Sequence, residues 1–223
     1  MTWKVKYYYL FLLIILLGCS LEAKDWGKDI AALEAKAKAA KISEVDYLFV
    51  GSSSIRMWDL KKAFPDLSTI NHGFGGSELC DSIHYVDRIV IAFKPKVVFL
   101  YAGDNDVSKG KKAEVVIEDF KTFASRIRKK LPETTIVFLP IKPSLARWNL
   151  WPEMNRANQA IKEFTEKNPF LDYLDTATPM LGRDQKPLPN LFLKDGLHLN
   201  AAGYAIWNQK LSEWVANQTK PSL

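Results

Sequence analysis

The stretch Tyr47-Leu48-Phe49-Val50-Gly51-Ser52-Ser53-Ser54 decides the fold, because it leads from an apolar strand directly into the start of a helix. An uninterrupted apolar run of this length is typical of a strand that is buried on both faces of a parallel sheet. The glycine and the three serines that follow are typical of a tight turn and a helix N-terminus. The same alternation of strand and helix recurs along the 223-residue chain.

Hydrophobic periodicity predicts five strands and five helices. The strands are expected at residues 47–50, 67–70, 97–101, 136–139 and 171–174. The helices are expected at residues 29–41, 78–92, 113–131, 152–167 and 201–216, the last of them capped by Asn200. Apolar strands that each lead to a helix predict an α/β fold of three layers, α/β/α, with a mostly parallel, five-stranded, flavodoxin-like sheet.

Composition and charge narrow the class of protein. Hydrophobic residues make up 48% of the chain, which is enough for one domain with a full core. The formal net charge is +6, but the basic side chains alternate with acidic ones along helical stretches such as residues 114–130. We therefore interpret them as a solvated helix face and predict no nucleic-acid partner.

The N-terminal residues differ in character from the rest of the chain. Lys4 and Lys6 precede the apolar run 7–17, which ends at Gly18-Cys19, and this pattern predicts a secretory signal peptide. The run is too short to span a bilayer comfortably. Alternatives are a signal peptide cut nearby and an uncleaved anchor, and each of them predicts an exported protein.

The segment Leu16-Leu17-Gly18-Cys19 resembles the lipobox of bacterial lipoproteins, with Leu17 where a smaller residue is commoner. The resemblance implies lipidation of Cys19, a membrane partner through this lipid anchor, and a location in the bacterial cell envelope. The predicted organisation is a signal peptide at 1–19, a tether and N-terminal helix at 20–44, and the main domain at 45–217.

Four motifs fall where the predicted strands end or the last helix begins. In open α/β sheets, ligands bind outside the carboxyl ends of the strands, so these motifs predict one common site. They are Gly51-Ser52-Ser53-Ser54, Gly73-Phe74-Gly75-Gly76, Gly103-Asp104-Asn105-Asp106 and Asp195-Gly196-Leu197-His198.

The residue types in these motifs suit nucleophilic catalysis. Ser53 is the candidate nucleophile, because a serine at a strand-to-helix turn presents its hydroxyl above the sheet. His198 is the candidate general base, and Asp195, three residues earlier, is the candidate partner of its other ring nitrogen. The alternative is that Ser52, Ser53 and Ser54 only cap the helix that follows them.

Acyl transfer also needs donors for the negative charge that develops on the substrate oxygen. The candidates for this oxyanion hole are the backbone amide of Ser53, the backbone amide of Gly76 and the side-chain amide of Asn105. Turn geometry is the alternative explanation for the glycine, and stabilisation of a turn is the alternative for the asparagine.

In their order and positions, the four motifs resemble the four blocks of the SGNH, or GDSL-type, esterase and lipase family, over roughly residues 45–214. The family's Gly-Asp-Ser reads Gly51-Ser52-Ser53 here, and Ser54 stands where leucine is usual. The resemblance implies hydrolysis of carboxylic esters through an acyl-enzyme, without metal or organic cofactor. It implies small-acyl, acetylated-glycan or lysophospholipid-type substrates. Two alternatives stay open, an acyltransferase acting on an envelope polysaccharide and a non-catalytic binding lipoprotein.

Other chemistry-bearing residues are expected to be structural. Cys80 is predicted to be an inert thiol near a helix start, and His72 and His84 to be structural histidines. Trp148 and Trp151 either wall a substrate cleft or pack on the domain. A carboxylate pair or cation site built from Asp104, Asp106 and Asp81 lacks regular ligand spacing, so no metal site is predicted.

Overall fold

A computed structural model describes residues 25–42 and 44–218, where five strands form one parallel sheet in the order β2-β1-β3-β4-β5. Helices cover both faces of the sheet, so the predicted three-layer α/β/α fold with its flavodoxin-like sheet is confirmed. The strands are β1 (Tyr47–Gly51), β2 (Thr69–Gly73), β3 (Val97–Tyr101), β4 (Thr135–Phe138) and β5 (Leu171–Tyr173).

Nine α-helices connect or flank these strands in the part of the chain that the structure describes. They are α1 (Gly27–Ala39), α2 (Ser53–Arg56), α3 (Leu60–Ala63), α4 (Leu79–His84), α5 (Val86–Ile89), α6 (Asp104–Ser108), α7 (Ala113–Lys130), α8 (Trp151–Thr165) and α9 (Ala201–Gln218). Short 3₁₀ turns occupy Ile91–Phe93, Trp148–Leu150, Thr178–Met180 and Pro189–Leu191.

Successive side chains of the central strands β1, β3 and β4 enter two separate apolar cores, which explains why the sequences of these strands show no polar alternation. In β1, Leu48 and Val50 join the core beneath the helices α1, α4, α5, α7 and α8. Phe49 joins the second core, where it packs against the indole of Trp58. Trp207 and Trp214 of α9 belong to this second core.

Two predicted elements differ from the observed ones. The helix expected at residues 78–92 breaks at Tyr85, whose ψ of 7° leaves the helical range, and continues as α5 and a 3₁₀ turn. The β-branched run Ile89-Val90-Ile91 disfavours a further helical turn. The second strand begins at Thr69 rather than at residue 67, and it pairs with β1 over five residues that include three polar ones, Thr69, Asn71 and His72.

Helix α1 packs on the domain through Ile30 and Ala37, and the Trp26 ring just before it meets Phe74 edge-on. The predicted signal peptide and Cys19 fall in residues 1–24, outside the described residues, as do residue 43 and residues 219–223. Within 25–42 and 44–218, no helix combines the length and the apolar character that crossing a bilayer requires.

Candidate active site

The fold brings the turn after β1 and the loop before α9 together at the carboxyl edge of the sheet. The Nε2 atom of His198 lies 3.0 Å from the hydroxyl oxygen of Ser53, although 145 positions separate the two residues. The other ring nitrogen, Nδ1, lies 2.6 Å from Oδ2 of Asp195. The structure therefore joins the three predicted residues into one hydrogen-bonded series.

Burial distinguishes the three serines of the first motif. Ser52 and Ser54 are 2% and 1% exposed, whereas Ser53 is only partly buried and has its hydroxyl beside the imidazole. The backbone of Ser52 precedes α2, but its side chain makes no capping hydrogen bond to the helix. Capping therefore does not account for the serine cluster, and Ser53 is the serine that reaches His198.

Asp195 organises its own loop as well as the histidine ring. Its Oδ1 atom accepts the backbone N–H groups of Leu197 and His198, each at 2.9 Å. The bond to the His198 ring, followed by these two backbone bonds, lowers the pKa of Asp195 to about 2. The carboxylate is therefore ionised throughout the neutral pH range, as stabilisation of a neighbouring imidazolium requires.

Close backbone packing explains the glycine that ends β1. Gly51 has a φ of 138°, and a Cβ atom built there would lie 1.9 Å from the carbonyl oxygen of Tyr101 on the adjacent strand. Only glycine fits this approach without distortion. The turn that carries Ser53 therefore sits directly against the end of β3.

Asn71 of β2 holds α2 in place, a role that the sequence patterns did not reveal. Its side-chain amide donates to the carbonyl oxygens of Ile55 at 2.6 Å and Trp58 at 3.0 Å. Its Oδ1 atom accepts the N–H of Gly73 at 2.9 Å. The partners of its amide N–H groups are backbone carbonyls, which carry no sequence signal, and the strand contains other polar residues. Asn71 thus ties the helix of Ser53 to the glycine-rich loop after β2.

The two candidate oxyanion donors outside the serine turn belong to loops that are hydrogen-bonded to each other. Asn105 lies in α6, and its Nδ2 atom donates to the carbonyl oxygen of Ser77 at 2.9 Å. Ser77 directly follows Gly76, which has a φ of 84°. The Ser77 hydroxyl in turn donates to the carbonyl of Phe74 at 2.8 Å. The loop of Gly76 and the side chain of Asn105 are thus joined by a direct hydrogen bond.

A buried ion network lies behind Asn105 and was also missed from the sequence. Asp104 accepts from Lys142 at 3.0 Å and from Arg147 at 2.5 Å, and Lys142 also donates to the Tyr101 hydroxyl at 3.0 Å. Burial alone raises the pKa of Asp104, but the two facing cations outweigh it and hold the pKa below its ordinary value. Lys142, four positions after β4, gave no local signal of burial, since its acidic partner is 38 positions away in the chain.

The carboxylates considered as a catalytic pair or a cation site engage separate partners. Asp104 pairs with the cations described above, Asp106 lies 2.8 Å from the ammonium of Lys111, and Asp81 accepts the N–H of Glu78 at the start of α4. These contacts distribute the three carboxylates over an ion network, a second ion cluster and a helix cap.

The remaining candidates lie outside the hydrogen-bonded series. Cys80 is the second residue of α4, and burial raises the pKa of its thiol to about 11. His72 is buried in β2 with Nδ1 2.7 Å from the carbonyl of Ile89, and the ring of His84 meets Tyr85 edge-on.

Trp148 and Trp151 stack on each other with ring centroids 5.8 Å apart and remain partly exposed.

A serine, an imidazole and a carboxylate in this order, at the carboxyl edge of a parallel sheet, define the class of α/β serine hydrolases. The model of the GDSL-like Lipase/Acylhydrolase family matches residues 51–206 of the chain. The protein therefore belongs to the GDSL-like lipase/acylhydrolase family, whose members hydrolyse ester bonds, and the predicted membership is confirmed.

Solved structures share the fold over most of the chain. A Streptococcus pneumonia protein, provisionally named as a platelet activating factor, is 19% identical, with 93% of this chain and 98% of that one covered and a TM-score of 0.77. A GDSL-like lipase from Bacteroides thetaiotaomicron is 18% identical, with coverages of 85% and 99% and a TM-score of 0.73. An acetylxylan esterase from Geobacillus stearothermophilus is 16% identical, with coverages of 77% and 94% and a TM-score of 0.62.

Among curated proteins, an N-acylneuraminate cytidylyltransferase from Escherichia coli is 26% identical over 173 residues. The match covers 76% of this chain and 40% of that protein, so the chain spans less than half the length of this curated relative.

Proposed function

We propose that the protein is an exported serine esterase that hydrolyses a carboxylic ester through an acyl-enzyme intermediate. The observation that carries the proposal is the hydrogen-bonded series from Ser53 through His198 to Asp195, with separations of 3.0 and 2.6 Å. Membership of the GDSL-like lipase/acylhydrolase family supports the same reaction class.

In the first half-reaction, Ser53 attacks the carbonyl carbon of the ester. The ionised Asp195 accepts a hydrogen bond from Nδ1–H of His198, which leaves Nε2 free to take the serine proton. The resulting imidazolium then gives this proton to the alkoxide of the leaving alcohol, and the acyl group stays on Ser53. The carboxylate stabilises the imidazolium without taking up the proton itself.

The oxyanion of each tetrahedral intermediate is bound by the backbone amides of Ser53 and Gly76 and by the side chain of Asn105. The Nδ2 atom of Asn105 carries two hydrogens, and one of them is used by the carbonyl of Ser77. The second hydrogen is then available to the substrate. Each such donor contributes about 3–4 kcal/mol of barrier lowering.

In the second half-reaction, a water molecule takes the place of the alcohol. His198 removes one proton from this water as the oxygen attacks the acyl carbon, and it returns the proton to the oxygen of Ser53 as the bond to the acyl group breaks. The products are a carboxylic acid and the free enzyme. The same residues thus serve both half-reactions, with no further group in the proton transfers.

We propose an ester of a small acyl group such as acetyl, on a glycan or a lysophospholipid-type molecule, as the substrate class. The acetylxylan esterase that shares the fold acts on an acetylated glycan, and its solved catalytic mutants replace a serine or a histidine by alanine. These relatives support a small acyl group and an essential serine and histidine in the present protein.

The replacement Ser53→Ala tests the proposal with a chromogenic acetyl ester as substrate. Loss of the nucleophile is expected to lower kcat by at least about 10⁴-fold, while the melting temperature stays within about 2 °C of the wild type. His198→Ala is expected to cause a similar loss. Ser52→Ala is the matched control and is expected to retain activity, because its side chain does not contact His198.

A fluorophosphonate label located by mass spectrometry gives the second readout, with Ser53 as the expected site. Wild-type turnover in Ser53→Ala would overturn the assignment. If the wild type forms an acyl-enzyme but passes the acyl group to a sugar in preference to water, the protein is an acyltransferase. If no acyl-enzyme forms with any ester, a binding function is indicated instead.

We also propose that Cys19 is lipidated and anchors the protein to a membrane of the cell envelope. The proposal is supported by the lipobox-like segment that ends in Cys19. Cys19→Ser is expected to move the protein from the membrane fraction to the soluble exported fraction, and Cys80→Ser is the control expected to leave fractionation unchanged. Retention of Cys19→Ser in the membrane fraction would contradict lipidation.

A further inference from the structure

The loop that follows β4 contacts both halves of the candidate site. This β4 loop, residues 139–147, ends with neighbouring residues that face different partners. The N–H of Ala146 donates to the carbonyl of Gly196, inside the loop that carries His198, at 3.0 Å. Arg147 Nη1 donates to Oδ1 of Asn105 at 3.2 Å. One short segment thus links the loop of the general base to the candidate oxyanion donor.

The guanidinium of Arg147 is itself held in a fixed position. It pairs with Asp104, which is 5% exposed and also binds the ammonium of Lys142. Lys142 is 1% exposed, and its second partner is the hydroxyl of Tyr101 at the end of β3. Breaking a buried charged pair is costly because an uncompensated charge remains in the interior. The network therefore restrains Arg147 to one orientation.

A fixed Arg147 determines the orientation of the Asn105 amide. The carbonyl oxygen of that amide accepts from Arg147, and one of its N–H groups donates to Ser77. A flipped amide would point its NH₂ group at the guanidinium and its oxygen at the carbonyl of Ser77. Both contacts would then be repulsive, so the amide of Asn105 keeps one orientation. Its second N–H group, which does not bond to Ser77, therefore points in a single direction.

The same contact also changes the strength of the donor. A cation at the carbonyl oxygen of an amide polarises the group, and its N–H becomes a better hydrogen-bond donor. Lys142 and Arg147 together carry two positive charges against the single negative charge of Asp104. The surplus positive charge lies beside Asn105, the proposed oxyanion donor, and a preorganised charge near a developing oxyanion lowers the barrier.

We propose that Arg147 is a positioning residue, which fixes and polarises the side-chain amide of Asn105 so that it binds the oxyanion. Asp104 and Lys142 are its buried supports. The inference rests on the proposed function, because it requires Asn105 to be an oxyanion donor.

Kinetics of two substitutions at Arg147 test this role. Arg147→Met is expected to lower kcat by about 10- to 100-fold with less than a threefold change in KM. The reason is that the oxyanion is absent from the bound ester and forms only as the reaction proceeds to the tetrahedral intermediate. Arg147→Lys keeps the charge but cannot bind Asp104 and Asn105 in the same fork geometry, so partial recovery is expected. Arg156→Met is the control, since Arg156 is a surface arginine paired with Glu114 and Glu153.

A double-substitution cycle with Asn105→Ala separates positioning from general damage to the fold. If Arg147 acts through Asn105, Arg147→Met is expected to lower kcat by less than about threefold when Asn105 is already alanine. A full additional loss in that background would overturn the inference, as would a wild-type kcat in the single variant. Circular dichroism and fluorophosphonate titration check that each variant is folded and count the competent sites.

Failure of this inference is distinguishable from failure of the proposed function. A large loss in Asn105→Ala together with a wild-type rate in Arg147→Met removes only the positioning role. A wild-type rate in Asn105→Ala removes Asn105 from the oxyanion hole and overturns the inference, whereas the proposed esterase reaction is decided separately by Ser53→Ala. Recovery by Arg147→Lys, with none in Arg147→Met, supports a charge-dependent effect on the amide.

Discussion

Helix α6 carries two buried carboxylates, Asp104 and Asp106, whose electrostatic surroundings are opposite. Asp104 lies between two cations, Lys142 and Arg147, and its pKa is lowered. Asp106 is 0% exposed, and burial raises its pKa despite the ammonium of Lys111 at 2.8 Å. The two side chains are separated by a single residue, so position in the chain does not explain the difference.

The number of positive charges per carboxylate explains why the pKa values of Asp104 and Asp106 shift in opposite directions. Lys111 serves three acids, because its ammonium also lies 3.1 Å from Glu78 and 3.5 Å from Asp119. Lys109 adds a second cation to this cluster, but its contact is with the outermost carboxylate, that of Glu78. Around Asp104 the cations outnumber the acids, whereas around Asp106 the acids outnumber the cations. The first network holds a fixed charge, and the second one favours proton uptake.

This contrast shows which network suits a catalytic site. The Asp104 network keeps one charge state, so it can hold Arg147 and Asn105 in the same geometry over a wide pH range. The Asp106 cluster binds the N–H of Leu79 at the start of α4 and connects to Asp119 on α7 through Lys111. It joins α4, α6 and α7, whereas Ser53 lies in α2 and contacts His198.

Equivalent substitutions in the two networks are expected to have unequal effects on stability. Asp104→Asn leaves Lys142 buried without a counter-charge, and removing one partner of a buried pair costs about 3–5 kcal/mol of unfolding free energy. Asp106→Asn keeps an oxygen for the N–H of Leu79 and relieves repulsion among the acids, so a change below about 1 kcal/mol is expected. Urea unfolding at pH 7.5 measures both values.

Equal losses in the two variants would contradict the charge-count explanation. A third variant makes the comparison sharper: Asp104→Asn combined with Lys142→Met removes both buried charges of the pair. This double variant is expected to recover part of the lost free energy, because no uncompensated ammonium remains. Further destabilisation in the double variant would mean that packing rather than charge governs the site.

Local patterns of the sequence were sufficient to predict the parallel sheet and the motifs that lie at its carboxyl edge. Strands with two buried faces read as continuous apolar runs, and parallel strands place their carboxyl ends together. The motifs with Ser53, Asn105 and His198 could therefore be assigned to one edge before any distance was known. The helix break at Tyr85 was missed, because an apolar spacing continues through residues that tertiary packing separates.

The buried networks could not be predicted in this way, since their partners are distant in the chain. Asp104 and Lys142 are 38 positions apart, and Asn105 and Arg147 are 42 apart. A charged residue in the sequence indicates a solvated position by default, and only the fold shows that Lys142 is enclosed. Asn71 was missed for a similar reason, because its partners are backbone carbonyls that carry no sequence signal.

The smaller effect is expected at Asp119, the acid on α7 that faces Lys111, Asp106 and Glu78. Burial raises the pKa of Asp119 to about 6, above the value of about 3.9 for an unfolded chain. Between these two values the folded state binds more protons than the unfolded state, so stability falls as pH rises through this window. Asp119→Asn removes the titrating group and is expected to flatten that decline.

At pH 7.5 the charged form of Asp119 is the unfavourable one, so Asp119→Asn is expected to be more stable than the wild type by about 1 kcal/mol. Urea unfolding at pH 4.5, 6 and 7.5 provides the comparison, and Glu118→Gln, an exposed acid on the same helix, is the control. A variant that loses stability at pH 7.5 would show that the attraction of Lys111 for Asp119 exceeds the cost of burying its charge. The excess of acids would then not determine the behaviour of the Asp106 cluster, and the contrast with Asp104 would need another cause.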